Sequence, residues 1–321
     1  MEAAVQPTTV EELRQACFNG PEGLWYFLRT FGQGEIPFTE IHHQMCLDVA
    51  SHGDWFFTAP PAWFKSSILR SYVVWRLLQD PDYRVIVVVQ SAKRATPVMA
   101  EFRRLVMQRE LTDIFGEICH KTTDDAIYAT DRRWHDDNPS ITVLGRMEPL
   151  HSTHADDYIL EDIVTIKNSA SISGRMWFFD WFDKELVHRP SRRLPLYGIK
   201  ATNNFMFPDD FFAKNIQPKG FFHECHRIFP SEKEVVDEDG DPKMMSNWPE
   251  RFPLLARDKT SPHQISLEEK RAEIHELAYQ LQWLCNPKGS AKRGIRKDLL
   301  TRTWDVLPDP KKIEHRYGVD P

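Results

Sequence analysis

The chain has 321 residues, room for one large domain or two modest ones. A hydrophobic content of 41% supports a core, and a net charge of −6 excludes a global basic footprint for nucleic acid, so such contacts must come from local patches. The five cysteines, at 17, 46, 119, 225 and 285, form no CxxC pair and fit a reduced, intracellular protein. No apolar run approaches the ~18 residues of a membrane span, and the N-terminus lacks a secretory apolar stretch.

Thr8 or Thr9 followed by Glu11-Glu12 predicts a capped helix near the N-terminus. Trp55 to Ala59 is a short apolar run before Pro60-Pro61, hence a strand ending in a loop. Ser66 to Gln79 has helical spacing and is stopped by Asp80-Pro81-Asp82. Arg84 to Gln90 is almost continuously β-branched, the pattern of a strand buried on both faces of a parallel sheet. Ala95 to Arg109 reads as helix, Ile141 to Leu144 and Tyr158 to Leu160 as strands, Arg175 to His188 as an aromatic-rich helix, and Leu196 to Ala201 as a strand. This alternation implies an α/β sheet with right-handed crossovers. Beyond about residue 217 the character changes: 230–265 is rich in Pro, Asp, Glu and Lys, with an exposed acidic turn at Asp237 to Gly240. His223, Cys225 and His226 have poor zinc spacing and read as an ordinary strand segment. Ser266 to Cys285 predicts one long helix with a serine cap, stopped at Asn286-Pro287. Residues 289–302 are basic and loop-like, and 313–321 read as the start of a strand.

Two features carry chemistry. Lys65-Ser66 stands where a strand turns into a helix, a place where backbone N–H groups and the helix N-terminus surround an anion. The lysine can hold β- and γ-phosphates of ATP, and the Ser66 hydroxyl can ligate Mg²⁺, with Ser67 beside it. A solvated lysine at a helix start fits the pair equally well. The loop Ala59-Pro60-Pro61-Ala62-Trp63-Phe64 contains no glycine, although phosphate loops use glycine for positive φ. Glu161-Asp162 ends an apolar strand, where α/β sheets place ligand chemistry. Glu161 can contact Mg²⁺ through water and Asp162 can orient the attacking water; a strand turning polar at solvent is the plain alternative. Thr202, at the next strand tip, is a candidate γ-phosphate sensor or a plain strand-end threonine. Arg146 follows Gly145 in a turn and can act as an arginine finger for a neighbouring subunit, or be a surface arginine. Gln44 can read the adenine edge or face solvent from a helix.

In this order, these features resemble the large terminase subunit of tailed double-stranded DNA phages. Pro60 to Ser66 is similar to that family's phosphate loop, Gln90-Ser91 to its third element, and Thr153 to Val164 to its acidic strand. Tyr197 to Phe211 looks like its coupling motif, with Thr202 in the threonine position and Asp209-Asp210 as the following acids. Trp248 to Pro253 and Leu284 to Pro287 match two downstream landmarks. The resemblance implies an additional-strand (ASCE-type) P-loop NTPase: an N-terminal helical segment over 1–34, an ATPase core over 35–217, a lid or linker over 218–302, and over 303–321 the start of an RNase H-like nuclease. Asp320 stands in the place of the first nuclease metal ligand; the 321 residues cannot supply the remaining acids, so no nuclease activity is expected of this polypeptide. It further implies ATP and Mg²⁺ as cofactors, double-stranded DNA, a portal protein and a small terminase subunit as partners, and a ring of five subunits acting in the infected cell at the procapsid portal.

The chain departs from the family pattern at Ala62, where an arginine is usual, at Phe64, where glycine is usual, and at Glu161, where aspartate is usual. Two further readings stay open: a non-catalytic DNA- or portal-binding module on a vestigial nucleotide fold, and another nucleic-acid ATPase. Arg103-Arg104, Arg192-Arg193 and the run from Lys288 to Lys297 are candidate DNA contacts, or solvated charge.

Overall fold

The computed structural model describes residues 9–32, 38–133, 138–150, 154–191, 193–237 and 240–287. Three helices lead the chain: α1 (Val10–Cys17), α2 (Glu22–Phe31) and α3 (Glu40–Ser51). The expected N-terminal cap forms as a capping box, in which Thr9 Oγ1 accepts from the Glu12 amide and Glu12 accepts from the Thr9 amide. Then come β1 (Trp55–Thr58), α4 (Lys65–Gln79), β2 (Val85–Val89), α5 (Ala92–Val106) and α6 (Arg109–Phe115). The chain continues with β3 (Cys119–Thr122), β4 (Ala126–Ala129), β5 (Ile141–Gly145) and β6 (Asp157–Glu161). After these stand α7 (Ile166–Ser169), α8 (Ile172–Trp181), β7 (Ile199–Thr202) and α9 (Phe211–Asn215). Last come β8 (His226–Ile228), β9 (Glu232–Val236), β10 (Pro242–Ser246), α10 (Leu267–Glu273) and α11 (Glu276–Gln282).

Eight strands form one sheet in the order β3-β4-β5-β2-β6-β7-β1-β8. The run from β5 to β8 is parallel, and β3 and β4 are antiparallel additions at one edge. The expected mostly parallel α/β sheet is therefore present, and β7 stands between the strand leading to Lys65 and the strand ending in Glu161. All five residues of β2 and all five of β6 are buried, as continuous β-branched runs covered on both faces require. One face packs on the helices before β1 and on α4 and α5; the other packs on α8, α9 and the aromatic group Phe56, Phe182, Phe211, Phe212 and Phe222.

Several elements differ from expectation. The helix expected over 266–285 is two helices, because Ile274 turns extended (φ −116°, ψ 153°) and packs on the core, and His275 then caps a new helix by accepting from the Leu277 amide. The helix expected from Ala95 begins at Ala92 and ends at Val106. The aromatic helix begins at Ile172 and runs at Trp181 into a single π-helical turn, Phe182–Leu186. β3 and β4 were not expected: β3 (Cys119–Thr122) is a mostly polar arm, and β4 (Ala126–Ala129) is a four-residue, mostly buried strand too short to stand out. The 230–265 segment folds in part as the β9–β10 hairpin, with Asp237 and Gly240 in its turn. β8, from beyond residue 217, is the eighth strand of the main sheet. Trp248 and Phe252 join the same core as Trp63.

Candidate nucleotide site

Strand register brings the predicted residues to one edge. Across the parallel strands Gly145 pairs with Val89, Val89 with Glu161, Glu161 with Thr202, and Thr202 with Phe57. The segments that leave this edge carry Arg146, Ser91, Asp162, Asn203 and the loop to Lys65. Gly145 has a packing reason: a Cβ there would stand 2.3 Å from the Ala92 nitrogen.

The loop before Lys65 turns through the left-handed region twice without glycine. Ala62 (φ +65°) and Phe64 (φ +52°) both occupy the left-handed region, which costs a non-glycine residue roughly 1–2 kcal/mol. Neighbouring packing holds them there. Trp63 is buried against Trp248 and stacked on Phe252 at 6.3 Å. The Phe64 ring packs on Phe38, His42 and Trp248 at 5.6, 6.0 and 5.7 Å, and the Arg251 guanidinium lies 5.4 Å from it. The ring therefore stands on the α3 side, among the 248–252 aromatics.

Lys65 opens α4 and is buried. Its Nζ donates to the carbonyls of Ala59 (2.7 Å) and Pro60 (2.9 Å) and to Asn204 Oδ1 (3.0 Å). Burial pulls its pKa below the usual lysine range, and nearby Asp162 opposes this. Glu161 is 5% exposed and ion-pairs with Arg70, which also pairs with Glu101 on α5. Burial raises the Glu161 carboxyl; Arg70 and the Ser66 hydroxyl act to keep it ionised. Asp162 is open to solvent at φ +47°, its amide donating to the Thr202 carbonyl. Although the residue keeps solvent-exposed surface, the protein crowded around its carboxyl pushes that group above the usual carboxylate range, against Lys65, Arg94 and Arg70. Thr202 Oγ1 is buried and finds no hydrogen-bond partner among the described residues. Glu161 Oε2 is in the same condition.

The structure thus gathers Lys65, Ser66, Glu161, Asp162 and Thr202. It uses other candidates differently. Ser67 turns to a cavity of about 680 Å³ beyond α4, shared with Phe31, Arg70, Glu101 and Arg104. Gln44 Nε2 donates to Asp48 Oδ1 (2.9 Å), so this amide is engaged on α3. Arg146 lies over the Trp177 and Phe178 rings of its own chain at 5.0 and 5.3 Å. Asp209 pairs with Arg175 at 3.3 Å, and Asp210 caps α9. Of the proposed DNA contacts, Arg193 is spent internally on Asp80 and Asp156, and Arg103 pairs with Asp124. Asp320, Arg192 and 288–297 lie outside the described residues.

Three residues were missed. Arg70 is one helical turn beyond Ser66, so its i+4 spacing signalled a shared face. Asn204 bridges the loop and the C-terminal region, its Nδ2 donating to the carbonyls of Ala59 (2.9 Å) and Gln282 (3.2 Å); only its place two residues past Thr202 pointed to it. Arg251 sits among Phe64, Trp248 and Phe252, a contact that no local pattern announces.

No family model matches the chain. The terminase large subunit of Enterobacteria phage T3 is 23% identical over 239 residues, 70% of this chain and 39% of that protein. The crystal structure of the HK97 bacteriophage large terminase superposes with a TM-score of 0.52 at 12% identity, covering 82% of this chain and 54% of that one. The Phi-28 gp11 DNA packaging motor is 8% identical with a TM-score of 0.33, covering 58% of this chain and 59% of that one, too distant to bear on the fold. The chain spans about two fifths of the T3 protein and about half of the HK97 chain.

Proposed function

We propose that this chain, which resembles terminase large subunits in both sequence and fold, is an ATP-hydrolysing motor that drives double-stranded DNA into a viral procapsid. The observation that carries the reading is the convergence of Lys65, Ser66, Glu161, Asp162 and Thr202 on one sheet edge, beside a loop that keeps positive φ without glycine. The donor set suits Mg²⁺, which takes one or two carboxylates together with substrate phosphates: Glu161 has an unpartnered buried oxygen, and Ser66 is next to it. Ser66 and Glu161 would hold the ion, which when bound neutralises charge on the phosphates.

The remaining steps belong to the protein. Lys65 leaves the carbonyls of Ala59 and Pro60 for the β- and γ-phosphates of ATP. The N-terminus of α4 adds its dipole to the same anion. Asp162, open to solvent, orients the attacking water. Thr202 responds to loss of the γ-phosphate through its unpartnered hydroxyl. Asn204 passes that change to α11, because one side chain touches Lys65, Ala59 and Gln282. A vestigial site would have the Phe64 ring over the phosphate position; its packing on the α3 side favours the active reading. DNA, portal protein, small subunit and a five-membered ring are the partners this reading calls for. The test is Mg-ATP-dependent thermal stabilisation of the purified chain. It is expected for the wild type and absent in Lys65→Ala; equal stabilisation of both would overturn the site.

A further inference from the structure

Arg70 pairs with two carboxylates on different elements. It joins Glu161, at the tip of β6, to Glu101, on α5. The two acids differ in environment. Glu161 is 5% exposed, whereas the Glu101 side chain is 37% exposed. Arg70 also lines the cavity of about 680 Å³ on the far side of α4, together with Glu101, Gln108 and Glu110. Its guanidinium thus has a second acceptor, Glu101, which shares with it the lining of a cavity that Glu161 does not line. A divalent ion and a guanidinium at the same buried carboxylate repel within a few ångströms, where screening is weak.

We propose that Arg70 is a positioning residue that neutralises Glu161 before a divalent cation arrives and withdraws to Glu101 as Mg²⁺ enters with nucleotide. The site then exchanges one cation for another, so Glu161 is never left as a lone buried charge, which would be costly. Glu101 sets the balance by holding Arg70 on the cavity side. The inference rests on the nucleotide-site reading above.

The test is Mn²⁺ binding to the purified chain, followed by electron paramagnetic resonance in the presence of a non-hydrolysable ATP analogue. Arg70→Gln removes the competitor and should tighten Mn²⁺ binding about tenfold, the scale of a charge-assisted hydrogen bond. Glu101→Gln, a mild change at a partly exposed position, should weaken Mn²⁺ binding by leaving Arg70 to Glu161 alone. Arg70→Lys should restore near-wild-type affinity. Opposite shifts in the Gln variants support the exchange. An Arg70→Gln variant that binds Mn²⁺ no more tightly than the wild type overturns it, as does an unchanged affinity in Glu101→Gln. Absence of Mn²⁺-nucleotide binding in the wild type would sink the nucleotide reading and this inference together.

Discussion

Phe64→Gly separates a loop that merely tolerates an aromatic residue from one blocked by it. The substitution relieves left-handed strain of roughly 1–2 kcal/mol at φ +52°. Glycine gives back about 0.5–1 kcal/mol in unfolded-state entropy. Truncating a fully buried phenylalanine costs about 3–5 kcal/mol, and this ring is half-buried, so its packing on Phe38, His42 and Trp248 is worth about 2 kcal/mol. Arg251 over the ring adds about 0.5–1 kcal/mol. The net is a loss of about 2 kcal/mol, or roughly 3–6 °C in Tm. ATP affinity by isothermal titration calorimetry should change by no more than about threefold, because the ring packs on Phe38, His42 and Trp248 rather than in the proposed phosphate cradle. Binding about tenfold tighter in Phe64→Gly would refute the reasoning, since it would show that the ring had been filling the site. The companion Ala62→Gly loses no ring and should gain about 0.5–1 kcal/mol.

Further expectations come from the buried polar groups. Asp157 accepts from the Tyr72 and Tyr83 hydroxyls and the Gly198 amide and pairs with Lys200, both charges fully buried. Asp157→Asn removes the carboxylate charge that partners buried Lys200, which keeps the Gly53 and Leu196 carbonyls, and should cost about 3–5 kcal/mol in urea unfolding; a loss below ~1 kcal/mol would show the pair to be dispensable. Burial first, then Arg251, lowers the His42 pKa to about 4. The unfolded chain therefore binds the extra proton, and stability present above pH ~6.5 is lost as pH falls toward 4, by roughly 3 kcal/mol. His42→Phe should flatten that slope, and an unchanged slope would place the proton elsewhere. Asn204→Ala should weaken the dependence of α11 on nucleotide, read as hydrogen exchange in 276–282 with and without ATP; identical protection changes in both proteins would remove Asn204 from the relay.

The sheet was legible because buried parallel strands carry a plain signature: Val85–Val89 and Asp157–Glu161 have little freedom to be anything else. The order of loop, acids and threonine followed, since strand ends in such sheets converge. The parts that escaped depend on contacts distant in sequence. Ala62 and Phe64 adopt glycine-like angles only because Trp248, Phe252 and His42 hold the loop from outside it. The break at Ile274 is hidden in a pattern that is helical on both sides; packing of the half-buried Ile274 against the core accompanies it. Arg146 and Arg193 look free in sequence, yet aromatic rings and paired aspartates claim them within the fold.

The central claim is that this glycine-free loop still serves ATP hydrolysis. Steady-state ATP turnover by the purified chain, with and without double-stranded DNA, tests it most directly. The account predicts Mg²⁺-dependent turnover that rises with DNA and is lost in Lys65→Ala and in Asp162→Asn. Turnover that survives both substitutions, or a wild-type chain that binds DNA and never hydrolyses ATP, would contradict it.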